Sequence, residues 1–282
     1  MENRGFTLIE LLTVIAILGI LSTIVAVSLS GQKQRGRIAA GETADAGIFR
    51  GAGASKLVGE WRFNETTGAT AVDSSGFGLD GTISGGVTLG DPGIEKTAFT
   101  FKAANVGTVT VPNSLYASRY LNNTTTVTVS AWIKPTFTPT GSEYVALRIQ
   151  EFQFHIENNR RIVGKVWVMQ SGSLVGGSFV YTPVDTLIPG EWQFITLSYD
   201  GSAVNLYLNG SLRASAPPTS NGGGPLAPVG QPLLIGSGGS AATAFDGSID
   251  EVRVYNTALT AQEIGKLFAA GAPRHGLARA LK

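Results

Sequence analysis

Glu191-Trp192-Gln193-Phe194-Ile195-Thr196-Leu197-Ser198-Tyr199 leads into Asp200-Gly201, and Ala203-Val204-Asn205-Leu206-Tyr207-Leu208 leads into Asn209-Gly210. Apolar and polar side chains alternate through both runs, the period of a strand with one buried face. Asp-Gly and Asn-Gly favour the positive φ angles of tight hairpin turns, so the stretch predicts two consecutive hairpins closed by Ser211-Leu212-Arg213-Ala214.

The same pattern extends outward. Leu57-Val58-Gly59-Glu60-Trp61-Arg62-Phe63 and Val127-Thr128-Val129-Ser130-Ala131-Trp132-Ile133 alternate, the second expected to stop at Pro135. Leu233-Leu234-Ile235-Gly236 and Gly247-Ser248-Ile249-Asp250-Glu251-Val252-Arg253-Val254-Tyr255 complete the set. With 37 Gly and only 15% charged residues, the body reads as short strands and tight turns, mostly antiparallel. After it, Leu259 to Ala270 has helical spacing, with Thr260 and Glu263 placed as a capping box.

The N-terminus follows another rule. From Phe6 to Ser30 the only charge is Glu10. At about 1.5 Å per residue that run crosses a bilayer core of about 30 Å. It is apolar all round, which suits lipid or the centre of a bundle. An acid there is costly by about 2.5 to 3.5 kcal/mol and marks a functional position. The first Pro is Pro92, so one continuous helix is expected. A basic run, Gln32-Lys33-Gln34-Arg35-Gly36-Arg37, follows as a solvated face near headgroups, and the Gly- and Ala-rich residues up to 56 read as a linker.

Composition excludes several functions. A net charge of +1 gives no electrostatic case for nucleic acid. With no Cys there is no disulfide, thiolate zinc site or Cys nucleophile. No Glu-x-Asp pair and no Gly-x-Ser-x-Gly elbow occur, Asp250 and Glu251 as strand neighbours should face opposite ways, and the two His, His155 and His275, read as a strand-face residue and a tail residue. No enzyme activity is expected.

Gly5-Phe6-Thr7-Leu8-Ile9-Glu10, followed at once by the apolar run, resembles the processing site of type IV pilins and type II secretion pseudopilins. The resemblance implies that prepilin peptidase cuts after Gly5 and that Phe6 becomes an N-methylated terminus. It implies that Glu10 pairs with the Phe6 amine of a neighbouring subunit, which gives a buried carboxylate a partner and sets register. Residues 1–5 would be the leader, 6–42 the transmembrane and then filament-core helix, and 43–56 the linker. The implied partners are other pilins or further copies of the chain, the peptidase and an inner-membrane assembly platform. The implied location is the cytoplasmic membrane, then an extracellular or periplasmic filament.

A second resemblance covers the body. Leu57 to Glu65 with Asp73-Ser74-Ser75-Gly76, Ser130 to Pro135, Trp192 to Gly210, and Phe245 to Arg253 with Leu259 to Ile264 resemble laminin G-like, concanavalin A-like lectin/glucanase domains. The implied fold class is a long N-terminal helix plus an all-β jelly-roll sandwich of two antiparallel sheets at 57–270, with a basic tail at 271–282. The resemblance also implies calcium at Asp73, Asp80 and Asp250, set against the plainer reading that these acids brace their own turns. Trp61, Trp132 and Trp192 match core positions. Trp167, with no such anchor, is the candidate exposed ring for a glycan or surface ligand, and Phe77, Tyr116 and Tyr120 are loop aromatics. Taken together the expectation is a pilus-like filament subunit displaying a lectin-like sandwich. The alternatives are a pseudopilin and a membrane-tethered carbohydrate-binding protein that never polymerises.

Overall fold

The computed structural model describes residues 57–113, 124–137, 141–220, 222–228 and 230–272. The predicted N-terminal helix, the linker, Tyr116, Tyr120 and most of the tail lie outside the described residues. Among the described residues no helix is long and apolar enough to cross a membrane.

In chain order the strands are β1 (Leu57–Trp61), β2 (Thr70–Ala71), β3 (Gly81–Ser84), β4 (Val87–Pro92), β5 (Thr97–Phe101), β6 (Thr108–Val111), β7 (Val127–Pro135) and β8 (Ser142–Arg148). They continue as β9 (Phe152–Glu157), β10 (Ile162–Gln170), β11 (Ser173–Gly176), β12 (Val180–Tyr181), β13 (Gln193–Tyr199), β14 (Val204–Leu208), β15 (Ser211–Ala216), β16 (Leu233–Ile235) and β17 (Gly247–Tyr255), followed by the helix α1 (Ala261–Gly271). The first sheet runs β15-β14-β13-β7-β17-β5-β4, with β1 also paired to β17. The second runs β11-β10-β9-β8-β16-β6-β3-β2, with β12 paired to β10. The pairings are antiparallel, as in a jelly roll.

The core lies between the sheets. Phe63 and Phe99 stack at 4.3 Å, and Phe101 packs against Phe63 and edge-on to Phe245. Trp61 is 1% exposed and its indole N–H donates to the Leu79 carbonyl at 2.9 Å. The facing sheet comes so close at β10 that a Cβ on Gly164 would stand 2.8 Å from a methyl of Leu206. A side chain there would force the sheets apart.

Local signals hold where they are strongest. Asp200 accepts the N–H groups of Ser202 and Ala203 at 2.8 Å, and Asn209 and Gly210 both take positive φ. Thr260 and Glu263 form the predicted capping box. Pro135 stops β7 as expected, and its carbonyl accepts the Gly190 N–H. Trp132 is buried on the face of β7 turned from the second sheet, where it packs on Phe194 and Phe268 of α1. Gly271 makes that closeness possible, since a Cβ there would lie 2.7 Å from the indole.

β17 carries a bulge between Asp250 and Arg253, with Glu251 in the left-handed region at φ 50°. The bulge gathers charge inside the protein. Arg253 Nε donates to Glu60 Oε1 at 2.8 Å and its Nη2 to Glu251, while Arg62 holds the other Glu60 oxygen at 3.2 Å. Burial alone would lower the Arg253 pKa, but Glu251 and Glu60 raise it. Removing one partner of such a set strands the others without solvent. Arg253→Met is therefore expected to destabilise the sandwich by roughly 3–5 kcal/mol in urea unfolding. Leu212→Ser, on an exposed position of β15, is expected to change it by less than about 0.5 kcal/mol. Equal midpoints for the two variants would contradict the role given to Arg253.

Candidate functional site

Gly5, Phe6 and Glu10 lie outside the described residues, as does His275. The acids expected to hold calcium lie within them. Asp73 Oδ1 accepts the N–H groups of Glu60 at 3.0 Å and Ser75 at 2.9 Å, and Oδ2 accepts that of Leu79 at 2.9 Å. Asp80 accepts the Asp73 N–H at 2.8 Å. Asp250 takes the N–H groups of Ile94 and Glu251. Among the described residues no group of three or more His, Asp or Glu is placed to hold a metal ion. Asp73 and Asp80 brace their own loop, whose Leu79 is buried in the core, while Asp250 ties β17 to the backbone at Ile94.

Asp250 and Glu251 are both buried, and burial raises the pKa of each. Both Asp250 oxygens accept backbone N–H groups and one Glu251 oxygen pairs with Arg253. They brace the β17 bulge.

Trp167 leads to a different surface. On β10, Ile162, Val166 and Val168 enter the core, so Val163, Lys165, Trp167 and Met169 face the other way. Register then lines up neighbours across strands. Tyr144 of β8 lies opposite His155 of β9, His155 opposite Val163, and Val163 opposite Tyr181 of β12. Gln153 is opposite Lys165. The rings touch: Tyr144 and His155 at 4.8 Å, His155 and Phe179 at 5.8 Å, Phe179 and Tyr181 at 6.0 Å. Phe179 and Tyr181 are 39% and 40% exposed.

Two cations sit among these rings. The Lys165 ammonium lies 4.4 Å from the Trp167 ring centre and 4.5 Å from that of Phe179. The Arg161 guanidinium lies 3.9 Å from the Tyr181 ring and is held by Glu157 at 2.7 Å. Such contacts are worth about 0.5–2 kcal/mol each and fix the position of the charge. Gly176, opposite Trp167, makes room for the indole, since a Cβ would stand 3.0 Å from its nitrogen.

His155 lies at the buried centre of the face. Desolvation pushes its pKa down to about 4; Glu157 raises it, Arg161 lowers it further. Glu157 Oε1 is 4.0 Å away, beyond hydrogen-bond reach, so the imidazole is neutral at pH 7.

Trp167 is legible in the sequence as a candidate. The sequence does not assemble Phe179, Tyr181, Tyr144 and Lys165 with it. Alternation in Val163-x-Lys165-x-Trp167 and Phe179-x-Tyr181 is the available signal, but alternation does not reveal which strands adjoin.

Residues 104–265 match the family model of the concanavalin A-like lectin/glucanases superfamily. The chain belongs to that superfamily. Residues 1–26 match the prokaryotic N-terminal methylation motif. No curated protein sequence matches the chain. Among solved structures, the binding domain of Paraclostridial Mosquitocidal Protein 1 superposes with a TM-score of 0.59 at 16% identity, over 76% of this chain and 52% of that one. Domain 4 of AbnA, a GH43 extracellular arabinanase from Geobacillus stearothermophilus in complex with arabinotriose, gives 0.52 at 21% identity, over 75% of this chain and 98% of that one. The binding domain of Botulinum neurotoxin DC in complex with rat synaptotagmin II gives 0.56 at 14%, over 77% and 52%. The chain thus spans about half the length of the two toxin domains, and at these identities the likenesses show the fold.

The buried imidazole has a measurable consequence. In the unfolded chain His155 titrates near 6.5 and in the folded chain at about 4. As pH falls through that window the unfolded state gains a proton that the folded state refuses, so stability is full above pH 6.5 and lost toward pH 4. The loss amounts to about 3 kcal/mol. Unfolding of wild type and His155→Phe across the window is expected to show this part of the pH slope only in wild type. An identical slope in both would assign it to other groups.

Proposed function

We propose that the chain is a type IV pilin-like subunit that is processed at the membrane, assembles through its N-terminal helix and displays a lectin-like sandwich for adhesion. The observation that carries the reading is the joining of a methylation motif at residues 1–26 to a lectin-type fold in one chain. The leader 1–5 would be removed after Gly5. Phe6 would carry the new amine, and Glu10 would meet that amine on the next subunit. In an apolar bundle this contact is costly to break from either side. The sandwich, with the aromatic face of its second sheet, would be the displayed surface. Arabinotriose bound to the arabinanase domain is a ligand of that protein, and it supports a saccharide as the kind of ligand to test first.

Two substitutions separate processing from assembly. Gly5→Val is expected to leave the precursor uncut, visible as retained leader mass. Glu10→Val is expected to be cut normally and to fall about tenfold or more in sheared filaments, the loss of one buried charge contact. A Glu10→Val protein that enters filaments as wild type would refute the assembly role. If wild type is cut yet stays in the cell envelope, the pseudopilin reading takes its place.

A further inference from the structure

We propose that the outer face of β8, β9, β10 and β12 is a binding site for a carboxylate-bearing saccharide, with the Lys165 ammonium receiving the acid. The inference rests on the reading above that the displayed sandwich binds a ligand.

Three observations support it. Among the described residues Lys165 pairs with no carboxylate and donates no hydrogen bond, and its ammonium lies against the rings of Trp167 and Phe179. Partial burial also keeps its pKa below the ordinary lysine value, a sign of a charge short of water that an anion relieves. Beside it, two polar atoms are buried without partners, Gln153 Oε1 and His155 Nδ1. Buried polar atoms are usually satisfied, and these two form a polar floor that a hydroxyl reaches only if the rings above it shift. Finally, Phe179 and Tyr181 present rings of the kind on which the C–H face of a sugar packs.

The chemistry selects among ligands. A neutral sugar would use the rings but leave the ammonium unpaired. An acidic peptide would satisfy the ammonium but has no rigid C–H face for the rings. A uronic or sialic acid does both.

The test uses the full-length protein in detergent micelles, titrated by calorimetry with oligogalacturonate, sialyllactose, a neutral malto-oligosaccharide and oligoglutamate. Binding of oligogalacturonate or sialyllactose is expected, and the two arms tell a uronate from a sialylated source. Lys165→Gln is expected to weaken it about tenfold or more, since a hydrogen bond to a charged group is lost. Lys165→Arg should restore much of it. Arg213→Gln, the same charge change on β15 of the other sheet, should leave it unchanged. Unfolding midpoints of the variants exclude a folding defect. Equal binding of the neutral oligosaccharide, equal binding of oligoglutamate, insensitivity to Lys165→Gln, or no saccharide binding would each overturn the proposal. Binding in micelles does not depend on filament assembly, so a failure here and a failure of the Glu10 test are distinct.

Discussion

The buried guanidinium of Arg253 is the contact on which the sandwich turns. It sits 7% exposed between Glu60 and Glu251, both nearly sealed from water. Burial raises the Glu251 pKa, and the Arg253 charge beside it acts in the opposite direction. The pairing fixes β1 against β17 where the bulge would otherwise leave the register free, and Glu251 accepts a left-handed backbone as part of the arrangement. β17 lies against β7 along one edge and against β5 and β1 along the other. The first sheet is thus organised around one strand and one cation. Replacing such a set by apolar residues is often no less stable, so its value here lies in specifying register.

The two sheets then meet different fates. In the first, α1 covers the outer face over β7 and β13, where Phe268 lies on Trp132 and Phe194 and Gly271 lets the backbone approach. In the second, Tyr144, His155, Phe179 and Tyr181 form a continuous run of rings, two of them substantially exposed, with Lys165 and Arg161 seated among them. One face is packing and the other is surface. Exposed aromatic rings with an unneutralised cation are an unfavourable way to finish a sheet that contacts only water, which is why the face reads as a place for a ligand.

Local chemistry is legible in the amino-acid sequence. Asp200-Gly201, Asn209-Gly210 and the Thr260–Glu263 box depend on residues a few positions apart, and all form where expected. The order of strand pairing is not legible, because it depends on distant partners. Strict alternation would place Asp250 and Glu251 on opposite faces; the bulge between Asp250 and Arg253 breaks that alternation, and both acids are buried. Trp167 can be singled out, yet Phe179 and Tyr181 belong to a strand of two residues and the turn before it, too short to carry a pattern. For Asp73 and Asp80 the sequence carries a resemblance, while the backbone N–H groups they accept come from residues as far apart as Glu60 and Leu79 and are seen only in the fold.

The central claim is that one chain joins a filament-forming terminus to a displayed binding domain. Its most direct test is the N-terminal mass of the protein recovered from sheared surface material. The account predicts a chain beginning at a methylated Phe6. An intact Met1 in every fraction would contradict it and leave a lectin-like sandwich on a plain membrane anchor.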